Sequence, residues 1–435
     1  MNDSAAARPQ PRAIAWPRIP GGLRNEVALA RLGCAAVGLH VADDNLLQPN
    51  PGTSARDHLV AGLVPLVLLA AAAVYYGRLR AGVRATITLV AGIMGVLGAI
   101  EAVYYTKDAG PSGDDYTGLL SIPAAFLLIG LGVATLWRSR RRDDALVWRY
   151  GRRLLLAAGM ALTAFIFGQA VGVSYVVTHV ARSYVPTAEL GVPYENVEFK
   201  SSDGLRLKGW YIPSRNGAAV ISFAGRADTQ LRARMLARHG YGVLLFDRRG
   251  EGESEGDPNL FGWQGERDIH GAVKFLQRRA DVDPQRIGAI GLSVGGEMLI
   301  EAAAESTALK AIISEGASGR SVRDTLANPG TEWPNVIGMG VATVATALFT
   351  DNVPPATLRS LIPKIGNRSV FFIYGEKGQP EEKPANTGFY ELARGPKEIW
   401  EVPGANHMNG AQAQPREYER RIVAFFDRAL LRAAP

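Results

Sequence analysis

Four long apolar stretches in the first 180 residues most constrain how this chain can fold. Each approaches or exceeds the roughly 20 residues that an α-helix needs to cross a bilayer. They are LVAGLVPLVLLAAAAVYY (59–76), ATITLVAGIMGVLGAIEAVYY (85–105), GLLSIPAAFLLIGLGVATLW (118–137) and LLLAAGMALTAFIFGQAVGVSYVVTHV (154–180). Tyrosines and a tryptophan stand at several of their ends, as is typical of side chains at the level of the lipid headgroups. The sequence therefore predicts four transmembrane helices.

A shorter apolar segment precedes them. EVALARLGCAAVGLHVA (26–42) is interrupted by Arg31, so it either spans the membrane as a fifth helix or lies in the interface. Further spans follow, and no small-residue cleavage site stands out after it, so a cleavable signal peptide is not expected. The predicted organisation is a basic tail (1–25) and a membrane domain of four or five helices (26–182).

The connections between the spans predict an orientation. GRLRAGVR (77–84) and RSRRRDDALVWRYGRR (138–153) are rich in arginine, whereas TKDAGPSGDDY (106–116) is acidic. Cytoplasmic loops carry an excess of Lys and Arg, so the two basic connections are expected inside and the acidic one outside. The chain after about residue 182 is then predicted on the extracytoplasmic face of the cell membrane.

Composition excludes some functions. The 435 residues are too many for one compact domain. A net charge of +7 would suit nucleic acid, but the arginines crowd beside apolar segments and no basic stripe interleaved with aromatics follows, so no nucleic-acid partner is expected. Cys34 is the only cysteine, which excludes an intrachain disulfide and a cysteine-based metal site. Glu101, near the end of its span, is expected to reach the interface.

A different pattern begins after a Pro- and Gly-containing linker (183–192). VEFKSSDG and LRLKGWYIP alternate polar and apolar residues around Asp203-Gly204, which predicts an antiparallel hairpin. Six apolar runs follow, with helical stretches between several of them, and they are typical of parallel strands covered on both faces. The six are AAVISFAG, YGVLLFDRR, RIGAIGLS, LKAIISEG, SVFFIYG and KEIWEVP. Residues 193–435 are therefore predicted to form an α/β domain, with its chemistry at the carboxyl ends of the strands.

Ser293 lies at a strand-to-helix turn of this domain. Gly291-Leu292-Ser293-Val294-Gly295 is a G-x-S-x-G, with a strand before it and a helix after it. The sharp turn brings backbone close to the serine, leaving no room for side chains two positions away. It exposes Oγ and puts the Val294 N–H at a helix start, where it can stabilise an oxyanion. Ser293 is the predicted nucleophile.

These residues resemble the α/β-hydrolase superfamily over roughly residues 192–432. FDRRGEGESEG (246–256) is similar to the turn after the fourth strand of many esterases and serine peptidases of this fold, and VDPQRIGAIG to the approach to their nucleophile. VPGANHMNG (402–410) looks like their histidine loop. The whole pattern resembles membrane-anchored relatives of the dienelactone-hydrolase and prolyl-oligopeptidase groups. The membrane half has no part in the resemblance, which implies an α/β-hydrolase domain whose mostly parallel eight-stranded sheet has helices on both faces. With the predicted spans, the expected fold is an α-helical transmembrane bundle followed by this domain.

A serine hydroxyl needs a base to take its proton and a carboxylate to orient that base. Of the 6 histidines, only His407 lies in a loop at the carboxyl end of a late strand. The acid has several candidates, because Gly378 stands where the family usually places Asp. Glu382 is the predicted acid, with Glu381 beside it and Glu315, at the end of the sixth strand, as alternatives. The order Ser293, Glu382, His407 is the family's order.

The oxyanion loop departs from the family pattern. FAGRADT (223–229) stands where His-Gly is usual, so Gly225 or Arg226 is expected to supply the second backbone donor beside Val294. The Arg226 guanidinium either meets an anionic part of the substrate or forms a surface salt bridge. The glycine-rich turn contains Asp247, Arg249 and Ser254 but lacks the lysine of a nucleotide-binding loop. A structural role is therefore expected for these three residues.

A lid is predicted at about 317–360, between the sixth and seventh strands. Its segment VIGMGVATVATALF is apolar, so it lines a hydrophobic pocket, dips toward the bilayer or packs as a core helix. With a lid, the substrate should carry an apolar acyl or alkyl group.

The sequence thus predicts a membrane-anchored serine hydrolase that cleaves a carboxylic ester or thioester through an acyl-enzyme. Its expected partners are a small-molecule or lipid-like acyl substrate and the lipid bilayer, and no metal or organic cofactor is expected. Two alternatives stay open, because the fold alone does not decide function. One is a serine peptidase of the same fold, and the other is an inactive membrane sensor or scaffold that retains the fold.

Overall fold

A computed structural model describes residues 21–138, 167–180, 184–328 and 332–431, together with the single positions 151, 155, 158, 159 and 162. Most of the predicted basic tail, most of the basic connection 138–153 and part of the predicted fourth span (154–180) lie outside the described residues.

The amino-terminal part is a bundle of helices. They are α1 (Gly21–Ala42), α2 (Leu59–Tyr75), α3 (Ala81–Ala109), α4 (Asp115–Arg138) and α5 (Gln169–Tyr175), of which α5 belongs to the predicted fourth span. Three segments here, Ala55–Arg78, Ala81–Lys107 and Asp115–Arg138, are long and apolar enough to cross a membrane. They contain the first three predicted spans.

The weaker segment 26–42 forms most of α1, which lies against α2 and α4. Arg31 is accommodated because its Nε donates to the Ala73 carbonyl of α2 at 2.9 Å. Helices α3 and α4 approach closely at Gly92, where a Cβ would lie 2.6 Å from Ile129 Cγ1. Glu101 is buried within the protein and accepts a hydrogen bond from Tyr175, and its position at a membrane interface stays a prediction.

Connections at one end of the bundle contact the second domain. The Gly256 N–H donates to the Pro51 carbonyl at 2.9 Å, and Asn50 Nδ2 donates to Asp257 Oδ1 at 3.0 Å. Thr117, beside the acidic connection 106–116, donates to Asp43 Oδ2 at 2.8 Å. The predicted orientation requires 106–116 to share a side with the second domain, and it does. Which side of the membrane this is stays a prediction.

The second domain is built on one sheet of eight strands. The strands are β1 (Glu195–Lys200), β2 (Arg206–Ile212), β3 (Ala219–Phe223), β4 (Gly242–Phe246), β5 (Ile287–Leu292), β6 (Ala311–Glu315), β7 (Ser369–Gly375) and β8 (Lys397–Val402). Their order is β1-β2-β4-β3-β5-β6-β7-β8. Strand β2 pairs antiparallel with β1 on one side and with β4 on the other, and every other pairing in the sheet is parallel. The predicted hairpin and the six predicted strands are confirmed, but β8 lies at the edge of the sheet and is only partly buried, so the expectation of a strand covered on both faces is wrong for β8.

Helices cover both faces of the sheet. They are α6 (Gln230–Arg238), α7 (Glu266–Leu276), α8 (Val294–Glu305), α9 (Val322–Ala327), α10 (Trp333–Thr350), α11 (Leu358–Leu361), α12 (Glu382–Leu392), α13 (Gly410–Ala413) and α14 (Pro415–Phe426). Apolar side chains of α7, α8 and α12 pack on one face, and those of α6 and α14 pack on the other. These two layers form the hydrophobic core of the domain.

Helix α10 lies in the predicted lid region but packs on helices of the amino-terminal bundle. It contacts α5 and α2, and its buried residues are small: Ala342, Thr343, Ala345 and Thr346. Large apolar side chains such as Trp333 (75% exposed) and Val344 (62% exposed) point away from the protein. It is the fourth helix long and apolar enough to cross a membrane. The expectation of a plain core helix is therefore wrong.

Candidate active site

The turn between β5 and α8 presents Ser293. The serine has φ 51° and ψ −123°, a sparsely populated conformation held by its surroundings. A Cβ on Gly291 would lie 2.5 Å from the Gly295 carbonyl oxygen, and one on Gly295 would lie 2.8 Å from the Ala224 nitrogen. The glycines are therefore required by close backbone approach, as the sequence predicted.

Strand order and turn together identify the architecture. A mostly parallel eight-stranded sheet that begins with an antiparallel hairpin, with a serine on a strained turn after its fifth strand, is the arrangement predicted from the sequence. The second domain has the α/β-hydrolase fold.

His407 lies in the loop after β8 and reaches the serine. Its Nε2 is 2.9 Å from Ser293 Oγ, within hydrogen-bond distance. The other side of the ring lies against Gly316, where a Cβ would be 3.0 Å from His407 Cε1. The residue after β6 must therefore be small for the imidazole to sit above Ser293.

Glu382 completes the chain of contacts. Its Oε1 lies 2.6 Å from His407 Nδ1 and also accepts the Gln379 N–H at 2.7 Å. The carboxylate is buried, and its Oε2 has no hydrogen-bond partner among the described residues. The structure thus brings together the serine, histidine and glutamate that the sequence singled out, with the carboxylate holding the imidazole tautomer that leaves Nε2 facing Ser293.

The two alternative acids lie elsewhere. Glu381 precedes α12 and is only partly buried, because its side chain leaves the helix start in another direction. Glu315 is buried, but its oxygens accept hydrogen bonds from Arg232 Nη2 at 2.8 Å, from Tyr418 Oη at 2.6 Å and from the Gly410 N–H at 3.0 Å. Neither contacts His407, since Glu382 occupies the Nδ1 side of the ring.

The Glu315 contacts reveal a buried network that sequence reasoning missed. Arg232 also donates to the Met408 carbonyl at 2.9 Å, so the buried Arg232–Glu315 ion pair holds the backbone that directly follows His407. Burial raises the pKa of Tyr418 well above its ordinary value, which keeps the phenol protonated as a donor to Glu315. Its only sequence signal was an arginine among the apolar positions of α6.

Glu297 was also missed. It follows the elbow in α8, and its Oε1 accepts the N–H groups of Ser318 at 2.9 Å and Gly319 at 2.7 Å. Burial is the main influence on this carboxyl and raises its pKa, while Arg320 and the two N–H groups act in the opposite direction. Glu297 therefore fixes the segment directly after Gly316, the residue against which His407 lies.

The three residues expected to supply oxyanion donors differ in what their N–H groups do. Val294 is the first residue of α8, so its N–H has no acceptor within the helix. The Arg226 N–H donates to Asp247 Oδ1 at 3.2 Å and is therefore engaged elsewhere. Gly225 follows β3 by two residues and has φ 85°. It is the better candidate for the second donor.

The Arg226 side chain does not meet a substrate as one expectation had it. Its Nε donates to Asp247 Oδ2 at 2.9 Å, its Nη2 donates to Glu253 at 2.9 Å, and its guanidinium lies over the Trp210 ring. The side chain is 3% exposed, so the pair with Asp247 is buried rather than a surface salt bridge. Both expectations for this guanidinium are corrected, because a partner 21 residues away holds it inside the fold.

The glycine-rich turn has the structural role expected of it. Arg249 forms ion pairs with Asp268 at 2.7 Å and with Asp203 at 3.0 Å, which ties the turn to α7 and to the β1–β2 hairpin. Ser254 Oγ donates to the Asp247 carbonyl at 2.6 Å. These side chains satisfy one another and brace the turn after β4.

A cavity of about 590 Å³ borders the loop that leads from β7 to Glu382. Its walls come from the loop after β6, the loop after β7, helix α10 and Gln169 of α5. Gln379, whose N–H donates to Glu382 Oε1, links this cavity to the site. Neither Ser293 nor His407 is among the described residues that line it.

Comparison with family models matches part of this chain. The family model for X-Pro dipeptidyl-peptidase (S15 family) matches residues 183–361. The match covers less than half of the chain; it includes the serine elbow but ends before Glu382 and His407.

Curated relatives match parts of the chain. The uncharacterized protein YfhR of Escherichia coli K12 is 35% identical over 117 residues, 25% of this chain and 40% of that protein. YfhR of E. coli O157:H7 is 26% identical over 247 residues, 54% of this chain and 81% of that protein. The thiohydrolase aneE of Aspergillus aculeatus is 36% identical over 129 residues, 28% of this chain and 41% of that protein. The chain thus spans about two fifths of the length of two of these relatives.

Solved structures of hydrolases align with just over half of this chain. The α/β-hydrolase GrgF of Penicillium sp. sh18 is 20% identical and covers 55% of this chain and all of its own, with a TM-score of 0.47. The esterase Pf2001 of Pyrococcus furiosus is 22% identical and covers 57% of this chain and 98% of its own, with a TM-score of 0.46.

The family match and the curated relatives support a hydrolase. The likeness to the dienelactone-hydrolase and prolyl-oligopeptidase groups stays a prediction.

Proposed function

We propose that this protein is a membrane-anchored serine hydrolase that cleaves carboxylic esters or thioesters through an acyl-enzyme. The observation that carries the proposal is the unbroken chain of contacts from Ser293 Oγ to His407 Nε2 and from His407 Nδ1 to Glu382. A hydroxyl, an imidazole and a buried carboxylate in this order are the parts that nucleophilic acyl transfer needs.

Each side chain has a role in the proposed reaction. Ser293 Oγ attacks the carbonyl carbon while His407 Nε2 takes its proton, and the tetrahedral oxyanion accepts hydrogen bonds from Val294 and Gly225. When the intermediate collapses, His407 returns the proton to the leaving alkoxide or thiolate, which departs as the alcohol or thiol. Water, deprotonated by His407, then attacks the acyl-enzyme and releases the carboxylic acid and free Ser293. Glu382 stabilises the imidazolium that forms in both halves.

Two alternatives remain to be separated from this proposal. The match to a family of X-Pro dipeptidyl-peptidases favours a peptidase, and the curated thiohydrolase relative favours thioester cleavage. An inactive sensor is disfavoured because Ser293, His407 and Glu382 retain contacts that a purely structural role does not need.

Substrate panels distinguish the alternatives. The full chain in detergent is given a p-nitrophenyl ester, an acyl thioester of the same chain length and glycyl-prolyl p-nitroanilide, with the Ser293→Ala variant as the control. Cleavage of the ester or thioester that depends on Ser293 supports the proposal. Cleavage of the anilide alone replaces it with the peptidase, and cleavage of none of them replaces it with the sensor.

We also propose that the apolar helices anchor the hydrolase domain on the extracytoplasmic face of the cell membrane. The charge bias of the connections supports this orientation. Protease added to intact cells should cut the hydrolase domain under conditions that partly unfold this domain. Protection of the domain until the membrane is permeabilised would reverse the orientation.

A further inference from the structure

We propose that α10 lies in the plane of the bilayer surface as a lipid-facing element of the hydrolase domain. It does not cross the bilayer, although its length and composition would allow a crossing. The occupant of its exposed face is the hydrocarbon boundary of the leaflet next to the hydrolase domain. This inference rests on the proposal that the apolar helices of the amino-terminal bundle lie in a membrane, and it is independent of the reaction at Ser293.

The large apolar side chains of α10 form one exposed stripe. Four of them are between 47% and 75% exposed: Trp333, Ile337, Val344 and Leu348. At 3.6 residues per turn, these four positions lie within about 60° of one another around the helix axis. Small residues on the other side of the helix are buried: Ala342, Ala345 and Thr346. A contiguous apolar stripe of this kind marks a surface that binds a partner or a membrane.

The composition of α10 favours lipid as the occupant of the stripe. The 18 residues Trp333–Thr350 contain no Asp, Glu, Lys or Arg, and charged residues stand directly outside both ends as Glu332 and Asp351. A tryptophan at the first position suits the level of the lipid headgroups. The face that an isolated interfacial helix would turn to water is here covered by protein, so the helix needs no charged face of its own.

Contacts with the bundle place the stripe beside the predicted spans. The Asp351 carboxylate accepts the Val60 N–H at 2.6 Å and the Ala61 N–H at 2.8 Å at the start of α2. Ser174 of α5 donates to the Ala342 carbonyl of α10 at 3.1 Å. Helix α2 exposes large apolar side chains along its length, among them Leu59, Leu63, Val67 and Val74. The membrane that surrounds α2 therefore also reaches α10.

The hydrolase domain holds α10 in its middle and just after its end. The Val322 N–H, at the start of α9, donates to Thr343 Oγ1 at 2.9 Å. Gln264, directly before the α7 region, donates through Nε2 to Asn352 Oδ1. A helix that is attached to the hydrolase domain at both of these points stays on the side of the membrane where that domain lies.

The chain on either side of α10 leaves and returns at one place. Asp324 Oδ1 of α9 accepts the Leu358 N–H, at the start of α11, at 2.8 Å. The 18 residues of α10 are about 27 Å long, close to the roughly 30 Å of a bilayer core. Residues 351–357, which lead from α10 to α11, reach at most about 25 Å when fully extended. A crossing would therefore leave too little chain to bring Leu358 back to Asp324.

An in-plane α10 gives the hydrolase domain an attachment to the membrane besides the linker 183–192. The chain that ends in α10 starts at Gly316, the residue that lies against His407. The loop after β6 is thus held near the bilayer surface by the domain's own helix.

The depth of α10 in the bilayer tests the proposal. Four variants are made in a Cys34→Ala background, because Cys34 is the only cysteine: Trp333→Cys, Ile337→Cys, Val344→Cys and Leu348→Cys. Each full chain is reconstituted in phosphatidylcholine vesicles and carries a nitroxide on its cysteine. The depth of the nitroxide is measured from its collisions with oxygen, which concentrates in lipid, and with a nickel chelate, which stays in water.

All four labels should lie at one depth, about 5–10 Å into the boundary between headgroups and acyl chains. In a crossing helix the depth would instead change by about 22 Å between positions 333 and 348, and this result would overturn the proposal. Free access of the nickel chelate to all four labels would also overturn it, because the stripe would then face water. Low access of both reagents would replace lipid by a second copy of the chain as the occupant.

Two control positions separate this proposal from membrane anchoring itself. Val67→Cys, in the middle of α2, should report the bilayer core, and Gln285→Cys, exposed on a turn of the hydrolase domain, should report water. A label at position 67 that lies in water would refute the anchoring and the proposal together. A label at position 67 that lies in lipid, with those of α10 in water, would refute the proposal alone. All these positions carry exposed side chains, so the labels should leave the Tm at that of Cys34→Ala.

Discussion

Glu382 Oε1 lies 2.6 Å from His407 Nδ1, and the adjacent Glu381 takes no part in this contact. The first turn of α12 directs Glu382 into the protein, where it is 0% exposed, and leaves Glu381 at its edge. The two adjacent glutamates thus differ in burial because their side chains leave the start of the helix in different directions. Only Glu382 can hold the imidazole tautomer.

Replacing Glu382 by Gln should lower kcat for ester hydrolysis by about 10³–10⁴-fold, because an amide of the same shape stabilises the wrong tautomer and no imidazolium. Glu381→Gln is the matched control and should change kcat little. Both rates are measured on a soluble p-nitrophenyl ester. Equal losses in the two variants would contradict the role given to Glu382.

Arg226→Ala should destabilise the protein instead of changing its choice of substrate. The substitution leaves the buried Asp247 carboxylate without its cation, which costs about 3–5 kcal/mol. Arg286→Ala removes an exposed ion pair with Asp283 and should cost about 0–1 kcal/mol. Thermal unfolding of the detergent-solubilised proteins measures both. A stable Arg226→Ala protein with weaker cleavage of anionic esters alone would restore a substrate-binding role for this guanidinium.

Glu266→Gln should stabilise the protein above neutral pH. Burial is the largest cause that raises the pKa of Glu266 from 4.5 to about 7, and the Glu301 charge adds to it. One of its carboxylate oxygens is buried without a hydrogen-bond partner among the described residues. The folded protein holds the proton more tightly than the unfolded chain, so the wild type loses about 3 kcal/mol of stability as pH rises from about 4.5 to about 7.

The glutamine variant has no such proton to lose. Its excess in Tm over the wild type should therefore be largest at pH 8, shrink as pH falls through 7 and vanish near pH 4.5. An excess that is the same at every pH would show that the Glu266 carboxyl titrates as it does in water.

Asp351→Gly should loosen the link between α10 and the membrane helices. Asp351 has φ 53°, which glycine adopts without strain, so the substitution removes the hydrogen bonds to Val60 and Ala61 and little else. The loss of a helix cap costs about 0.5–2 kcal/mol. Asp351→Asn keeps one acceptor oxygen, so its stability should lie between that of the wild type and that of Asp351→Gly. Proteolysis near residue 351 that is no faster in Asp351→Gly would contradict this link.

The sequence predicts the elbow and the sheet because their signals are local. The glycines beside Ser293 and the apolar runs of the strands act on neighbours a few residues away. His407 follows from its position after a late strand. In contrast, the partner of Arg226 is Asp247, and the network of Glu315 joins Arg232, Tyr418 and Gly410 from distant parts of the chain. No spacing rule pairs such residues before the sheet brings them together.

Helix α10 also shows how contacts between distant segments limit what the sequence predicts. Its composition predicts an apolar helix, but small residues on one face and large ones on the other fit both a lid and a membrane helix. Its contacts with α5 and α2 decide which face is covered. The hydrogen bond from Tyr175 to Glu101 likewise joins two distant segments, and no spacing in the sequence indicates it.

Fluorophosphonate labelling tests the central claim most directly. The purified full chain, Ser293→Ala and His407→Ala are exposed to the probe, and the modified residue is located by peptide mass spectrometry. The account predicts rapid labelling of the wild type at Ser293 and none in Ser293→Ala, with His407→Ala labelled far more slowly. A folded wild type that is not labelled, or that is labelled equally without His407, would contradict an activated serine at this site.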